Sequence, residues 1–264
     1  MLLLLKAVVL GIVEGVTEFL PVSSTGHLIV AASLIDFPER SRGTFEVFIQ
    51  LGAILAVVWD FRAPLRDTAK RARAAAGPER DLLAKVALAF VPAAIVGWFL
   101  ADAIEAALFN PTTVGIALIL GGVVILVVER WHWPFTAERI ESVSWRQALW
   151  VGIAQICALV PGVSRAGATI IGGLLAGLDR PVATQFSFYL AIPTMFAASL
   201  YSLLKALDDL RLADILPFAA GFVTAFLSAM IVVRLFLSYV RTHDFRWFGY
   251  YRIFAGAVIL LWLR

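Results

Sequence analysis

Long apolar segments recur along the whole chain and are separated by shorter polar stretches. The segments cover residues 45–61, 82–101, 114–128, 186–204, 215–233 and 253–263. An α-helix needs roughly 20 apolar residues to cross a bilayer; several segments approach that length, and the shorter ones extend through neutral flanks. The regular alternation of a membrane β-strand is missing from them. The pattern predicts an all-α polytopic membrane protein.

Two further apolar segments, residues 2–36 and 146–178, are interrupted. Each carries a proline followed by small and polar residues near its middle. A helix breaks there because proline lacks the amide donor and clashes with the preceding turn. Within a membrane, such a break persists only where protein or a water-filled cavity covers it. Each segment is therefore predicted to form a broken, re-entrant helix hairpin.

The two interrupted segments also resemble each other in sequence. With shifts of one residue, GIVEGVTEFLPVSSTGHLI aligns with GIAQICALVPGVSRAGATI. The aligned pairs are Gly11 and Gly152, Glu14 and Gln155, Pro21 and Pro161, and Ser24 and Ser164. Chance similarity between two stretches rich in glycine and proline is the alternative explanation.

Each interrupted segment precedes three predicted spans. Because three is odd, the second copy enters the membrane from the opposite face, which predicts an inverted-topology repeat. Its halves cover about residues 1–130 and 145–264 of a single membrane domain, residues 1–264. In such repeats the site is expected near the bilayer midplane, where the two broken hairpins meet.

The composition agrees with a membrane location. Hydrophobic residues make up 61% of the 264 residues and charged residues 16%, against about 45–50% and about 25% in soluble domains. A soluble core cannot absorb this excess. The net charge of +3 does not suggest a nucleic-acid partner. Cys157 is the single cysteine, which excludes an intramolecular disulfide and a multi-cysteine metal site.

The distribution of charge predicts an orientation. Basic residues gather in segments 62–80, 129–147 and 234–252, the last ending at Arg252. Counting the spans puts these three segments on one side of the membrane, whereas segment 205–214, on the other side, carries three aspartates. The positive-inside rule places the basic side in the cytoplasm. For residues 62–80, a solvated helix on either side is the alternative.

The first interruption concentrates groups that could perform chemistry. Glu14 and Glu18 are four residues apart and share one helix face. Carboxylates inside a membrane are costly and usually face a functional cavity, although a solvated helix end is the alternative here. The run that follows Pro21 predicts a half-helix whose free amides and positive dipole end bind an anion. This run comprises Ser23, Ser24, Thr25, Gly26 and His27.

The second interruption repeats the arrangement with a cation. Pro161 and Gly162 break the helix, and Ser164 and Arg165 follow. Taken separately, Ser164 would more often be a helix cap and Arg165 a snorkelling side chain. Together they indicate a phosphate clamp, because the planar guanidinium gives bidentate bonds and stays charged. Charge stabilisation, a nucleophile and proton transfer all have candidates, and a substrate that arrives along the bilayer would be a lipid phosphate.

These residues resemble one known family, the undecaprenyl-diphosphate phosphatases, also called bacitracin-resistance proteins. GIVEGVTEFLPVSSTGHL is similar to the first family motif, and PGVSRAGATI to the second, a PGxSRSxxT pattern. TFEVFIQLGAILAV, FSFYLAIPT and FLSYVRTHDFRWFGYYRIFAG resemble family segments in the expected order. One departure is Ala166, where the family pattern has its second serine, so this chain lacks that hydroxyl.

The resemblance implies an enzyme that removes the terminal phosphate of undecaprenyl diphosphate and regenerates the carrier lipid for cell-wall polymers. It also implies the bacterial inner (plasma) membrane, an active site that opens to the outer, periplasmic face, and dependence on a divalent cation, Mg²⁺ or Ca²⁺. A homodimer is compatible with these expectations, and no nucleic-acid partner is expected.

The resemblance and the residue chemistry together suggest roles. Glu14 and Glu18 are expected to hold the divalent ion or to orient water, since hard cations prefer carboxylate oxygens. His27 is the first candidate for nucleophile or general acid–base, and Ser24 is the competing nucleophile. Gln50 either reaches the site or makes a helix–helix hydrogen bond. The residues expected to bind the diphosphate with Arg165 are Ser23, Thr25, Gly26, Gly162, Ser164 and Thr169.

Two other functions are compatible with the sequence. Inverted repeats with broken helices are typical of carriers, so a transporter or flippase of polyprenyl phosphate lipids would move its substrate without releasing phosphate. A non-catalytic scaffold or lipid-binding protein would leave the two mirrored polar interruptions unexplained.

Overall fold

The computed structural model describes residues 1–74, 78–131, 135–206 and 212–262, and within them the fold is helical. Regular β-structure within these ranges is limited to a bridge between Ala137 and Leu178. The helices are α1 (Leu2–Thr17), α2 (Ser24–Leu34), α3 (Glu39–Asp60), α4 (Arg62–Ala74), α5 (Pro78–Leu108), α6 (Pro111–Arg130), α7 (Trp145–Ile156), α8 (Arg165–Leu175), α9 (Arg180–Ala206), α10 (Ile215–Tyr239) and α11 (Arg246–Trp262). Parts of the predicted loops 62–80, 129–147 and 205–214 lie outside the described residues.

Five of these helices are long and apolar enough to cross a membrane. The candidate spans are Arg42–Asp60, Asp81–Leu108, Pro111–Arg130, Arg180–Lys205 and Ile215–Tyr239. They coincide with the first five apolar segments predicted from the sequence, so the all-α, multi-span architecture is confirmed. The sixth predicted segment, residues 253–263, lies largely in α11, whose 17 residues make it shorter than these spans.

Local sequence signals set several helix starts. Asn110 caps α6 by accepting a hydrogen bond from the Thr113 amide at 2.9 Å, and Pro111 occupies the first turn, where its missing amide has no cost. Ser144 and Gln147 form a reciprocal capping box at the start of α7. These caps satisfy amides that would otherwise have no partner inside a mostly apolar molecule.

The helices pack in pairs that are distant in the sequence. α1 packs on α10, α10 on α3, α3 on α9, α5 on α7, and α6 on α11. The α6–α11 pair meets through glycines: a Cβ added to Gly122 would lie 2.6 Å from the Gly249 carbonyl, and one added to Gly256 would lie 2.6 Å from the Gly115 carbonyl. Small residues at a helix interface allow such close backbone approach in membranes.

A buried ion pair joins three of the helices near their ends. Glu129, at the end of α6, accepts hydrogen bonds from Arg180 at the start of α9, at 3.0 and 2.5 Å. The Phe245 amide, just before α11, donates to the same carboxylate at 3.0 Å. With three donors, the buried carboxylate of Glu129 is well satisfied, as a charge in a low-dielectric interior must be.

The glycine contact between α6 and α11 generates a test of the packing. Gly256→Ala should lower the free energy of unfolding by about 1–3 kcal/mol, because the new methyl group forces the two backbones apart. Gly43→Ala in α3 is the matched control, since no atom lies within 4 Å of the added Cβ. Thermal or denaturant unfolding in detergent measures both variants. Equal stability of the two variants would contradict the close approach.

Candidate active site

The helices are interrupted at both predicted positions, and the two breaks share an unusual backbone conformation. α1 ends at Thr17 and α2 begins at Ser24, while α8 begins at Arg165. The residue before each of the two half-helices is a serine with positive φ: 69° at Ser23 and 72° at Ser164. α2 and α8 each have 11 residues. By this geometry Ser23, rather than Ser24, corresponds to Ser164.

A single carboxylate connects the two breaks. The Ser24 hydroxyl donates to Glu18 Oε2 at 2.5 Å, and Arg165 Nη2 donates to Glu18 Oε1 at 3.1 Å. Glu18 is 7% exposed and Ser24 9% exposed. The arrangement places a hydroxyl, a carboxylate and a guanidinium in one chain of hydrogen bonds, which is the geometry of a nucleophile, its base and the group that orients the base.

Arg165 is held from several sides. Its Nη1 donates to the backbone carbonyl of Ser187 at 3.3 Å and to the hydroxyl of the same residue at 3.4 Å. Its guanidinium carbon lies 5.6 Å from the centre of the Phe19 ring, within cation–π range. Its Nε is buried and makes no hydrogen bond among the described residues. Ser187 was missed by the sequence analysis; the only signal was its place in the family segment FSFYLAIPT.

Thr169 lies behind Arg165. Its fully buried hydroxyl donates to the Arg165 carbonyl at 2.9 Å and shares a 2.6 Å hydrogen bond with the Ser187 hydroxyl. Ala166 is also fully buried, in the same apolar core as Ile170. The predicted binding of substrate by Thr169 stays a prediction, and the contacts observed for Thr169 support the backbone and neighbours of Arg165.

Glu14 and Gln155 are aligned in the sequence and have a common feature in the structure. Both side chains are 1% exposed. Glu14 Oε1 and Gln155 Nε2 make no hydrogen bond among the described residues, although Gln155 Oε1 accepts one from the Thr194 hydroxyl at 3.3 Å. An unsatisfied buried polar atom costs about 1–3 kcal/mol, so these two atoms near the breaks are candidates for contact with a polar ligand.

Both ring nitrogens of His27 are engaged. Nδ1 lies 2.7 Å from the Ser23 carbonyl, which can only accept, so Nδ1 carries the proton in the neutral ring. Nε2 then accepts a hydrogen bond from the Tyr251 hydroxyl at 2.5 Å. The His27 and Tyr251 rings are stacked, with centroids 5.5 Å apart and planes 9° apart. Tyr251 was not among the predicted site residues; its only sequence signal was its place in the family segment FLSYVRTHDFRWFGYYRIFAG.

The remaining predicted residues have structural contacts. Gly26 faces Leu118 of α6, and Gly162, with φ at 93°, lies against the Val114 carbonyl of the same helix. Thr25 is partly exposed in the first turn of α2. Gln50 Oε1 accepts from the Ser199 hydroxyl at 3.3 Å, which joins α3 to α9. The predicted substrate contacts of these residues stay predictions.

The Ser164 hydroxyl caps α8. It accepts from the Gly167 amide at 3.1 Å and donates to the Leu20 carbonyl in the first break at 3.4 Å. Ser23 has no such side-chain cap at the start of α2. The first amides of α2 therefore have no side-chain acceptor at their N-cap, whereas α8 is capped.

The buried position of Arg252 corrects its assignment, made from the sequence, to the basic segment on the cytoplasmic side. Arg252 was grouped with the exposed basic residues of segment 234–252, but it is 1% exposed. Its donors reach five backbone carbonyls at 2.9–3.3 Å: Pro21 in the first break, Gly162 and Val163 in the second, and Ala117 and Leu118 in α6. All five N–H groups of the guanidinium are thus used. The segment spacing alone gave no sign of this role.

Among the described residues, no group of three or more His, Cys, Asp or Glu side chains is placed to hold a metal ion. Both oxygens of Glu18 accept hydrogen bonds, whereas Glu14 Oε1 makes none among the described residues. A metal held by protein side chains alone does not fit this donor set. An ion that takes one or two carboxylates and completes its shell with substrate phosphate oxygens and water does fit, and Mg²⁺ is commonly bound in that way.

The fold and the site define a helical, multi-span membrane protein with a buried serine–carboxylate–arginine group at two helix breaks. The family described as bacitracin resistance protein BacA matches residues 7–258, and the chain belongs to this family. The chain is 51% identical to the undecaprenyl-diphosphatase of Laribacter hongkongensis over 98% of this chain and 94% of that protein. It is 50% identical to the undecaprenyl-diphosphatase of Ectopseudomonas mendocina, over 97% and 92% of the two chains. With that of Cupriavidus necator it shares 51% identity, over 98% and 95%.

Arg252 generates a prediction about stability. Arg252→Leu should lower the free energy of unfolding by at least about 3 kcal/mol, because five buried carbonyls lose their donors. Arg252→Lys should recover part of the loss, since an ammonium group offers three donors. Arg241→Leu, which changes an exposed arginine, is the matched control and should stay within about 0.5 kcal/mol. Unfolding in detergent measures all three; a wild-type-like Arg252→Leu would contradict the role.

Proposed function

We propose that the protein is an integral membrane phosphatase that hydrolyses undecaprenyl diphosphate to undecaprenyl phosphate and inorganic phosphate. Membership of the BacA family and about 50% identity to curated undecaprenyl-diphosphatases over nearly the whole chain support this function. The observation that carries it is the Glu18 carboxylate, which binds Ser24 of one break and Arg165 of the other. The reaction regenerates the lipid carrier for cell-wall synthesis and accounts for the family's link to bacitracin resistance.

The diphosphate is bound by donors at the meeting point of the breaks. Arg165 has a buried Nε with no partner among the described residues, and it can turn this donor to a phosphate oxygen. The amino end of α2, which Ser23 does not cap, supplies amides and the positive end of the helix dipole. Donors fixed before the reaction stabilise the charge that develops on the transferred phosphoryl group.

Ser24 is the nucleophile in this mechanism. Glu18 takes the hydroxyl proton as the Ser24 oxygen attacks the terminal phosphorus, and it passes that proton to the departing oxygen of undecaprenyl phosphate. The bond between the terminal phosphorus and the bridging oxygen breaks, which leaves phosphoserine. Water then attacks the phosphoserine, and Glu18 carries a proton from the water to the Ser24 oxygen, which releases phosphate. Arg165 keeps Glu18 oriented throughout.

His27 is the competing nucleophile, and its contacts disfavour that role. A nucleophilic imidazole needs a ring nitrogen with a free lone pair directed at the phosphorus. Nδ1 donates to Ser23, and the lone pair of Nε2 accepts from Tyr251. The Ser24 hydroxyl, in contrast, already contacts a carboxylate that can receive its proton. The geometry therefore favours Ser24.

A divalent cation, Mg²⁺ or Ca²⁺, is part of the proposal. Glu14 would anchor it through Oε1, which has no hydrogen bond among the described residues. Glu18 would assist through the second lone pair of an oxygen that already accepts from Ser24 or Arg165. Bound there, the ion would supply neutralisation of the diphosphate charge.

The finer architecture is also proposed: an inverted repeat of residues 1–130 and 145–264 within one membrane domain, with re-entrant breaks. Support comes from the helix contacts. The counterparts of α1, α2, α3, α5 and α6 are α7, α8, α9, α10 and α11, respectively, and exchanging each helix with its counterpart converts one observed contact into another. The α1–α10 contact becomes α7–α5, α3–α10 becomes α9–α5, and α1–α2 becomes α7–α8. The α6–α11 and α3–α9 contacts map onto themselves.

The location and assembly are further parts of the proposal. The charge bias and the family support the bacterial inner membrane, with the site opening to the periplasmic face. The substrate reaches the site from the bilayer. A homodimer is the proposed assembly compatible with this arrangement.

The function and its nucleophile are tested together. Purified protein in detergent, given undecaprenyl diphosphate, should release phosphate, and Ser24→Ala should reduce the rate at least about 1,000-fold because the nucleophile is lost. Substrate labelled in its terminal phosphate should leave label on Ser24 after rapid quenching. Ser33→Ala, an exposed position in α2, is the matched control. Label on His27 would overturn the assignment, and lipid movement across vesicles without phosphate release would favour the carrier.

The cation prediction concerns Glu14. Mg²⁺ or Ca²⁺ together with a non-hydrolysable methylene analogue of the lipid diphosphate should raise the melting temperature of the wild type, because the ion binds the folded protein. Glu14→Gln should lose most of this metal-dependent rise while it keeps the fold. Glu39→Gln, at an exposed position, should behave as the wild type does. An unchanged metal response in Glu14→Gln would exclude Glu14 as the anchor.

A further inference from the structure

The two half-helices start with nearly the same backbone but are stabilised differently. Ser23 and Ser164 both have positive φ, which is unusual for a residue with a side chain and needs surrounding contacts to hold it. At the second break the Ser164 hydroxyl caps α8, and the Ala168 amide donates to the Ser164 carbonyl at 2.9 Å. At the first break the Ser23 hydroxyl makes no cap, and the equivalent bond from the His27 amide is 3.4 Å long.

The imidazole of His27 compensates for the weaker backbone bond. Its Nδ1 donates to the Ser23 carbonyl at 2.7 Å, the same carbonyl that the His27 amide reaches only at 3.4 Å. Ala168, the corresponding residue of α8, has no side-chain donor. The peptide that precedes Ser24 is therefore fixed by a histidine side chain at the first break and by the serine cap and backbone at the second.

The Ser23 carbonyl determines which histidine nitrogen carries the proton: it can only accept, so Nδ1 carries the hydrogen. Nε2 is then an acceptor, and the Tyr251 hydroxyl, 2.5 Å away, donates to it and holds that end of the ring. The stacked rings fix the plane of the imidazole. Tyr251 is itself well placed to serve as a fixed reference, because the next residue, Arg252, is bonded to both breaks and to α6.

We propose that Tyr251 is a positioning residue for the phosphatase reaction. It acts through His27 to hold the Ser23 peptide, and that peptide sets the direction in which the next residue, Ser24, presents its hydroxyl to Glu18. This inference rests on the proposed role of Ser24 as nucleophile. His27 is then also a positioning residue, because its imidazole links Tyr251 of α11 to the Ser23 carbonyl of the first break by two hydrogen bonds.

The first test is kinetic. Tyr251→Phe removes the hydroxyl and keeps the stacked ring, so kcat should fall about 10- to 100-fold with KM nearly unchanged, since a small misplacement of the nucleophile affects the transition state more than substrate binding. Tyr250→Phe is the matched control: Tyr250 is 55% exposed and has ring contact with Trp247. An unchanged kcat in Tyr251→Phe would overturn the proposal.

The second test compares substitutions of His27. In His27→Asn the amide nitrogen lies near the former position of Nδ1 and can still donate to Ser23, so activity should stay well above that of His27→Ala. His27→Gln, whose amide lies nearer the position of Nε2, should not rescue. Adding Tyr251→Phe to His27→Asn should produce no further loss, because the two residues act in one chain of contacts. Equal inactivity of the Asn and Ala variants would indicate direct chemistry by the imidazole and would overturn the proposal.

The third test needs no turnover, and it separates this inference from the proposed function. Diethyl pyrocarbonate modifies an unprotonated ring nitrogen, and in the wild type the Tyr251 hydroxyl shields Nε2. The folded Tyr251→Phe protein should be modified at His27 several-fold faster than the wild type and the Tyr250→Phe control, measured by peptide mass spectrometry. Equal rates would refute the contact. Faster modification of Tyr251→Phe, found together with a wild type that releases no phosphate, would keep the contact and reject the phosphatase function.

Discussion

Two helices that break inside an apolar molecule leave backbone carbonyls without amide partners, and the guanidinium of Arg252 supplies the missing donors. It bonds the Pro21 carbonyl of one break and the Gly162 and Val163 carbonyls of the other, while two more bonds tie it to α6. Lipid offers no hydrogen bonds to unpaired backbone groups, so the breaks depend on an internal donor. Arg252 meets that requirement and at the same time fixes the distance between the two breaks.

The geometry of the proposed active site follows from that fixed distance. Glu18 and Ser24 belong to the first break and Arg165 to the second, so their contacts form only when the breaks keep one relative position. Removing one partner of such a buried pair is strongly destabilising, because it leaves an uncompensated charge. Ser187 and Thr169 extend the support behind Arg165. Stability and reactivity therefore depend on the same hydrogen-bond network, and the site cannot loosen without affecting both.

The sequence predicted the elements of this arrangement better than their connections. Apolar segment length predicted six spans, five of which are candidate membrane-spanning helices, and proline followed by small polar residues located the breaks that contain Ser24 and Arg165. These signals are local, since they depend on helix propensity and on hydrophobicity within one segment. Arg252 and Tyr251 lie in the family segment FLSYVRTHDFRWFGYYRIFAG, but their roles were not identified, because their partners lie up to about 230 residues away. The two hydrogen bonds of His27, to Ser23 and Tyr251, were likewise not predicted, and its predicted direct role in the chemistry stays a prediction.

The close glycine contact between α6 and α11 limits where a lipid tail could pass between helices. Where backbones touch through Gly115, Gly122, Gly249 and Gly256, few side chains separate the two helices, and the pair behaves as one rigid wall. A polyprenyl tail has no opening through that wall. A lipid tail that enters sideways would therefore have to pass along a helix boundary other than that between α6 and α11.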